Sequence, residues 1–284
     1  MTRESCIIPP DRDADQVLMR APSAPVLETQ SLEKWFGGVR AVAGVDFRMR
    51  RGELRCLIGP NGAGKSTFFK LVTGQLRASG GRIIFDGQEI TGQAPHTIGR
   101  LGIGIKNQVP SVFEGLSVAE NLWLAARHRH STTGARVAVH EMIYRLNLGN
   151  VAKQTVGTLA HGMRQWVDIG MVMAQRPKLM LLDEPTAGMA AEEIERTVEL
   201  IRVINSDASV VVVEHDMEFI RRLNSFVTVF HQGRILVEGV TDNVQRDPRV
   251  REVHHAGAAR LDHAKGSDNR RARAVRPWRS GAYF

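Results

Sequence analysis

The sequence has only two cysteines, Cys6 in a proline-containing, acidic leader and Cys56 inside the apolar run LRCLI. So placed, they offer neither a disulfide framework nor metal-cluster spacing, and they fit a reducing compartment. Long apolar runs are missing too. The longest, such as VVVV at 210–213, have the length of a strand, far short of the roughly 18 to 20 residues that a membrane-spanning helix needs. CIIPPDRDAD turns acidic after two isoleucines, so no export signal is expected. Internal repeats and sustained heptads are absent as well, which excludes solenoids and long coiled coils.

What is present is an ordinary globular composition. The 284 residues are 43% hydrophobic and 24% charged, enough for one main domain with an inserted lobe. The net charge of +8 is unevenly spread: seven Arg or Lys and two Asp lie between Ala256 and Phe284, so that tail holds five of the eight excess charges. A body left with +3 argues against a broad nucleic-acid footprint, and no nucleic-acid partner is expected. GSDNRRARAVRPWRSG lacks periodicity, so 258–284 reads as a basic, disordered tail. Residues 1–24, with Pro9, Pro10 and Pro22, read as a flexible leader, which leaves 25–257 as the folded domain.

Along that domain, short alternating segments (VLETQ, VDFRMRRG) precede the apolar strand LRCLI at 54–58, a glycine-rich turn and a helix beginning at Lys65. RIIFDGQEI reads as a strand with an Asp-Gly turn at 86 and 87, and GIGIKNQ as the next. From about 109 to 177 the pattern becomes helical, as in SVAENLWLAARHRH, and marks an inserted lobe. KLMLLD, the helix AAEEIERTVELIRVI, the strand SVVVVEHD and the pair FVTVFHQ and GRILVEG follow. Continuous apolar strands alternating with helices predict an α/β fold with a parallel sheet buried on both faces.

GPNGAGKST fits G-x-x-x-x-G-K-[ST] between a strand and a helix. Gly59, Pro60, Asn61, Gly62, Ala63 and Gly64 form a loop whose backbone N–H groups can converge on phosphates, assisted by the helix N-terminus. Lys65 reaches the outer phosphates, Ser66 can ligate Mg²⁺, and Thr67 completes the motif, so ATP with Mg²⁺ is the expected cofactor. LMLLDEP ends a buried strand in Asp183, suited to hold Mg²⁺, followed by Glu184, which can polarise an attacking water. In VVVVEHD, His215 stands where a strand-end side chain can meet a γ-phosphate. LAHGMRQ, 159–165, reads by itself as a helix start, with Thr158 as capping residue and Met163, Trp166 and Ile169 on a buried face. If Gly162 is only that, an aspartate there should be tolerated, since acidic residues suit a first helical turn.

Together these motifs resemble the ATP-binding subunits of ABC transporters. The runs ELRCLIGPNGAGKST, GIGIKNQ through VPSVFEGLSVAENL, HGMRQWVDIGM, DEPTAGM, SVVVVEHDMEF and DPRVREV look most like the urea-importer ATPase of the branched-chain amino acid importer group, over roughly Val26 to Gly257. The resemblance implies a RecA-like P-loop NTPase core with an antiparallel β subdomain and an inserted α-helical subdomain. It implies two subunits, a self-dimer or a heterodimer with a sister ATPase, closing on two ATP molecules. LAHGMRQ stands for the signature usually read LSGGQ, so Ala160 and Gly162 would face nucleotide held by the opposite subunit. Gln108 matches the loop glutamine that joins the core to the helical lobe and serves the metal and the reaction, and Phe36 the aromatic that stacks on adenine, with Trp35 as its neighbouring competitor.

The implied partners are membrane permeases and an external substrate-binding protein, with this chain peripheral on the cytoplasmic face of the inner membrane. Departures from the family pattern are Ala160 for serine, Met163 for glutamine, Asn107 for an aromatic, and Gly188, Met189 and Ala190 where an aspartate is common. Losing the serine hydroxyl removes a hydrogen bond to a charged oxygen, worth about 1.5–3 kcal/mol, and predicts slower hydrolysis. The expected cargo is urea, with branched-chain amino acids or short amides as the alternative. A soluble ABC-type ATPase acting on nucleic acid or ribosomes is a further reading, opposed by the single phosphate loop and the absence of heptads.

Overall fold

A computed structural model describes residues 24–252. The basic tail, and all of the leader but its last residue, lie outside the described residues.

Two sheets carry the fold. The first is antiparallel, in the order β2 (Val39–Met49), β1 (Leu27–Phe36), β4 (Gly80–Phe85), β5 (Gln88–Glu89). Its first two strands are longer than VLETQ and VDFRMRRG suggested. They run on to a turn at Gly37, and breaks in register around Ser31, which has φ 46°, interrupt the alternation that the sequence reading relied on.

The second sheet is ordered β10 (Arg234–Val240), β9 (Phe226–His231), β3 (Leu54–Ile58), β8 (Ser209–Val213), β7 (Leu179–Asp183), β6 (Ile103–Lys106). It is parallel from β9 through β6, and β10 closes it antiparallel after the turn at Gln232 and Gly233. Apolar packing covers both of its faces. Cys56, Met180, Leu182, Val210 and Val212 point to one side, and Leu57, Leu179, Leu181, Val211 and Val213 to the other. This is why these strands read as unbroken apolar runs.

Helix α1 (Lys65–Val72) follows β3, and α2 (Pro95–Leu101), a helix without a clear apolar period, precedes β6. The helical region holds α3 (Val118–Arg127), α4 (Thr132–Arg145) and α5 (His161–Met173). A full capping box starts α3, with Ser117 accepting from the Glu120 amide and Glu120 accepting from the Ser117 amide. Helix α6 (Ala191–Asn205) leads into β8, α7 (Met217–Leu223) into β9, and α8 (Thr241–Arg246) follows β10. Among the described residues no helix is long and apolar enough to cross a membrane.

Candidate nucleotide site

The carboxyl ends of adjacent parallel strands collect the chemistry, as the rule for open α/β sheets requires. β3 runs into the phosphate loop, β8 into Glu214 and His215, β7 ends at Asp183, and β6 leads to Gln108.

Glycine is obligatory at two loop positions. Gly59 has φ 142°, and a Cβ there would drive into the Phe230 carbonyl. Gly64, the N-cap of α1, has φ 108°, and a Cβ would lie 2.5 Å from the Ala41 carbonyl oxygen. Gly233 ties the same corner together, donating to the Ala63 carbonyl and accepting from the Ala43 amide. Ala41 is two residues along β2 from Val39, the partner of Phe36, so the exposed Phe36 ring stands at the hairpin end beside the loop. Trp35 is occupied otherwise: its ring lies under Arg40, and its indole N–H donates to Glu33.

Asn61, Gly62 and Ser66 are exposed on the open side of the loop, while Lys65 is buried. Its Nζ donates to the loop's own carbonyls, Gly59 at 2.6 Å and Pro60 at 3.1 Å. Burial lowers its pKa, and Glu184 and Asp183 oppose the shift. An ammonium held by neutral carbonyls, with exposed backbone around it, suits an incoming polyphosphate.

Asp183 has its carboxyl raised by burial, then by the like charge of Glu184. Glu184 adopts φ 42°, in the left-handed region that costs a non-glycine residue about 1 kcal/mol or more. Its amide donates to the Val213 carbonyl, which anchors the bend. Its carboxylate accepts from Gln108 Nε2 at 2.7 Å and lies 3.7 Å from Nδ1 of the exposed His215. Gln108, Glu184 and His215, distant in sequence, thus form one cluster. No group of three or more His, Cys, Asp or Glu among the described residues forms a metal cage. The Asp183 carboxylate and the Ser66 hydroxyl are oxygen donors of the kind a hard divalent cation takes.

The helix start at LAHGMRQ differs from the sequence expectation in two ways. The N-cap is Ala160, whose methyl accepts no hydrogen bond, while the Thr158 hydroxyl donates to the Thr155 carbonyl and caps nothing. Ala160→Ser should therefore supply a missing cap worth about 1 kcal/mol. Its thermal midpoint should rise by about 2–4 °C in scanning calorimetry. Second, Gly162 is buried, and a Cβ there would collide with the Glu193 carboxylate, which accepts from the Ala190 amide at the start of α6. Trp166 and Ile169 are buried as expected, with the Trp166 indole donating to Thr197, and Met163 is half-buried.

Sequence reading passed over three buried charges here. Glu214 accepts from the Thr186 amide and hydroxyl and from the His215 amide, holding the chain after Glu184 against that after β8. Lys106 is fully buried, its pKa pushed down to about 8 by burial against the pull of Asp168, Asp183, Glu214 and Glu184. Asp168 on α5 is pushed up to about 6 by burial, with Lys106 opposing. An acid just before His215 and a lone lysine closing an apolar strand were the available signals.

A phosphate loop facing an aspartate and a glutamate at the carboxyl edge of a parallel sheet defines a P-loop nucleotide hydrolase. The family model for ABC transporters matches residues 42–187. The high-affinity branched-chain amino acid transport ATP-binding protein BraF of Pseudomonas aeruginosa is 33% identical over 247 residues, covering 80% of this chain and 96% of its own. LivG of Escherichia coli, named for the same transport, is 31% identical with the same coverage. A crystal structure of MJ1267, an ATP-binding cassette of an ABC transporter in its ADP conformation, superposes with a TM-score of 0.73 at 26% identity, covering 82% of this chain and 99% of that one. This chain belongs to the ABC transporter ATPase family and is the ATP-hydrolysing subunit of an importer.

Proposed function

We propose that this ATPase powers the import of branched-chain amino acids. The observation that carries the cargo is the similarity to BraF and LivG along almost their whole length, which favours the amino acid reading over urea. The partners are two membrane permeases, a second ATPase subunit and an external binding protein, with this chain docked on the cytoplasmic face of the membrane.

In this reading the Gly59–Thr67 loop and Lys65 hold the phosphates of ATP, and Phe36 stacks on adenine. Asp183, Ser66 and Gln108 would hold Mg²⁺, which would neutralise phosphate charge when bound. Glu184 takes a proton from the attacking water, and His215 stabilises the γ-phosphate side of the site. Ala160 and Gly162 present the N-terminus of α5 to nucleotide on the second subunit. ATP-driven closure moves the permeases through the helical region, and hydrolysis resets them. Support comes from the cluster of Gln108, Glu184 and His215 and from the exposed phosphate loop beside Phe36.

Deleting the gene should lower uptake of labelled leucine and leave urea uptake intact. The reverse pattern would return the cargo to urea.

A further inference from the structure

Gln165, one turn into α5, is fully buried, and its side-chain Oε1 has no hydrogen-bond partner. Its amide nitrogen lies 3.3 Å from the Gln108 carbonyl oxygen and 3.1 Å from His161 Nε2. The same imidazole nitrogen lies 3.2 Å from the carbonyl oxygen of Ala187, in the loop that follows Glu184. A Cβ on Gly188 would sit 3.5 Å from the imidazole ring edge, so the ring also rests against that loop.

One imidazole nitrogen carries either a lone pair or a hydrogen. With the lone pair it accepts from Gln165 and leaves the Ala187 carbonyl unserved. With the hydrogen it donates to Ala187 and loses Gln165 as a donor. Exchanging oxygen and nitrogen in the Gln165 amide does not resolve the conflict, because an oxygen would then face the Gln108 carbonyl. The imidazole therefore serves either Gln165 or the Ala187 carbonyl, while the second amide hydrogen of Gln165 stays on the Gln108 carbonyl in both cases.

We infer that His161 and Gln165 are positioning residues for hydrolysis, linking the start of α5 to the two loops whose side chains, Gln108 and Glu184, meet at 2.7 Å. Gln165 holds the loop of Gln108 and His161 the loop after Glu184, so the start of α5 sets the two loops against each other. The inference rests on the role proposed above for Glu184.

The test uses the full-length chain assembled with its permeases. Gln165→Met matches the side chain in length and removes both the unpartnered oxygen and the two N–H donors, so thermal stability should change little. Its kcat should nevertheless fall about three- to tenfold, the factor that one neutral hydrogen bond is worth, with KM for ATP unchanged. His161→Phe keeps a ring against Gly188 and should lose a similar factor, and His161→Gln, with polar atoms at the end of its side chain, should recover part of it. The double variant Gln165→Met/His161→Phe should be no slower than the worse single, because both break one connection.

Wild-type kcat in either single variant, losses that multiply in the double, or a rate loss that merely tracks a fall in thermal midpoint overturns the inference. Glu184→Gln run beside them separates the two failures. Full turnover there removes the assignment of Glu184, whereas lost turnover there with unaltered rates in the other variants removes only the positioning role.

Discussion

Glu184→Gln should bind Mg²⁺-ATP with unchanged affinity and hydrolyse it about 10²- to 10⁴-fold more slowly, the contribution of a positioned general base. The glutamine oxygen can still accept from Gln108 Nε2, so the 2.7 Å contact survives as a neutral hydrogen bond and the fold around it is kept. What is lost is the basicity of a carboxylate that a left-handed backbone turn aims at Gln108 and His215. Phosphate release at saturating nucleotide, read beside equilibrium nucleotide binding, separates the two effects. Wild-type turnover would remove Glu184 from the chemistry.

Gly162→Asp should fail for two separable reasons. Within the chain its Cβ displaces the Glu193 carboxylate, breaks the contact with the Ala190 amide and places two carboxylates side by side. Glu193 is flexible and half-buried and can swing aside, so the cost is that of the lost contact with the Ala190 amide, about 0.5–1.5 kcal/mol. The substitution is thus mildly unfavourable in the isolated subunit, where a helix start without Glu193 above it would tolerate an aspartate. Adding Glu193→Ala removes the internal collision and the like-charge pair, so thermal stability should match that of Glu193→Ala alone. ATPase activity of the assembled complex should remain lost, because in the proposed dimer the new carboxylate would still face phosphate on the opposite subunit. If the double variant instead hydrolyses ATP at the rate of Glu193→Ala alone, Gly162 serves only the packing of α5 on α6.

Local chemistry made the parallel sheet, the phosphate loop and the two carboxylates legible, because a loop glycine or a strand-end acid reports its own backbone setting. Long-range packing was not legible in the same way. Nothing around Gly162 announces Glu193, thirty-one residues on, as the side chain that fills the space above it. Thr158 has the chemistry of a cap, yet the chain turns two residues too late for it to act as one. The register breaks in β1 hid its true length, and α2 and α8 are too short to show a period. Lys106 and Asp168 drew no reading from the sequence, because only the packing of α5 on β6 brings their charges into one buried region.

Reconstitution of this chain with the permeases, second ATPase subunit and binding protein proposed for it, in proteoliposomes, tests the central claim most directly, with ATP hydrolysis and solute accumulation measured together. Leucine should raise phosphate release and accumulate inside the vesicles, both effects should vanish with Glu184→Gln, and urea should produce neither. Stimulation and accumulation with urea, and none with leucine, would contradict the account.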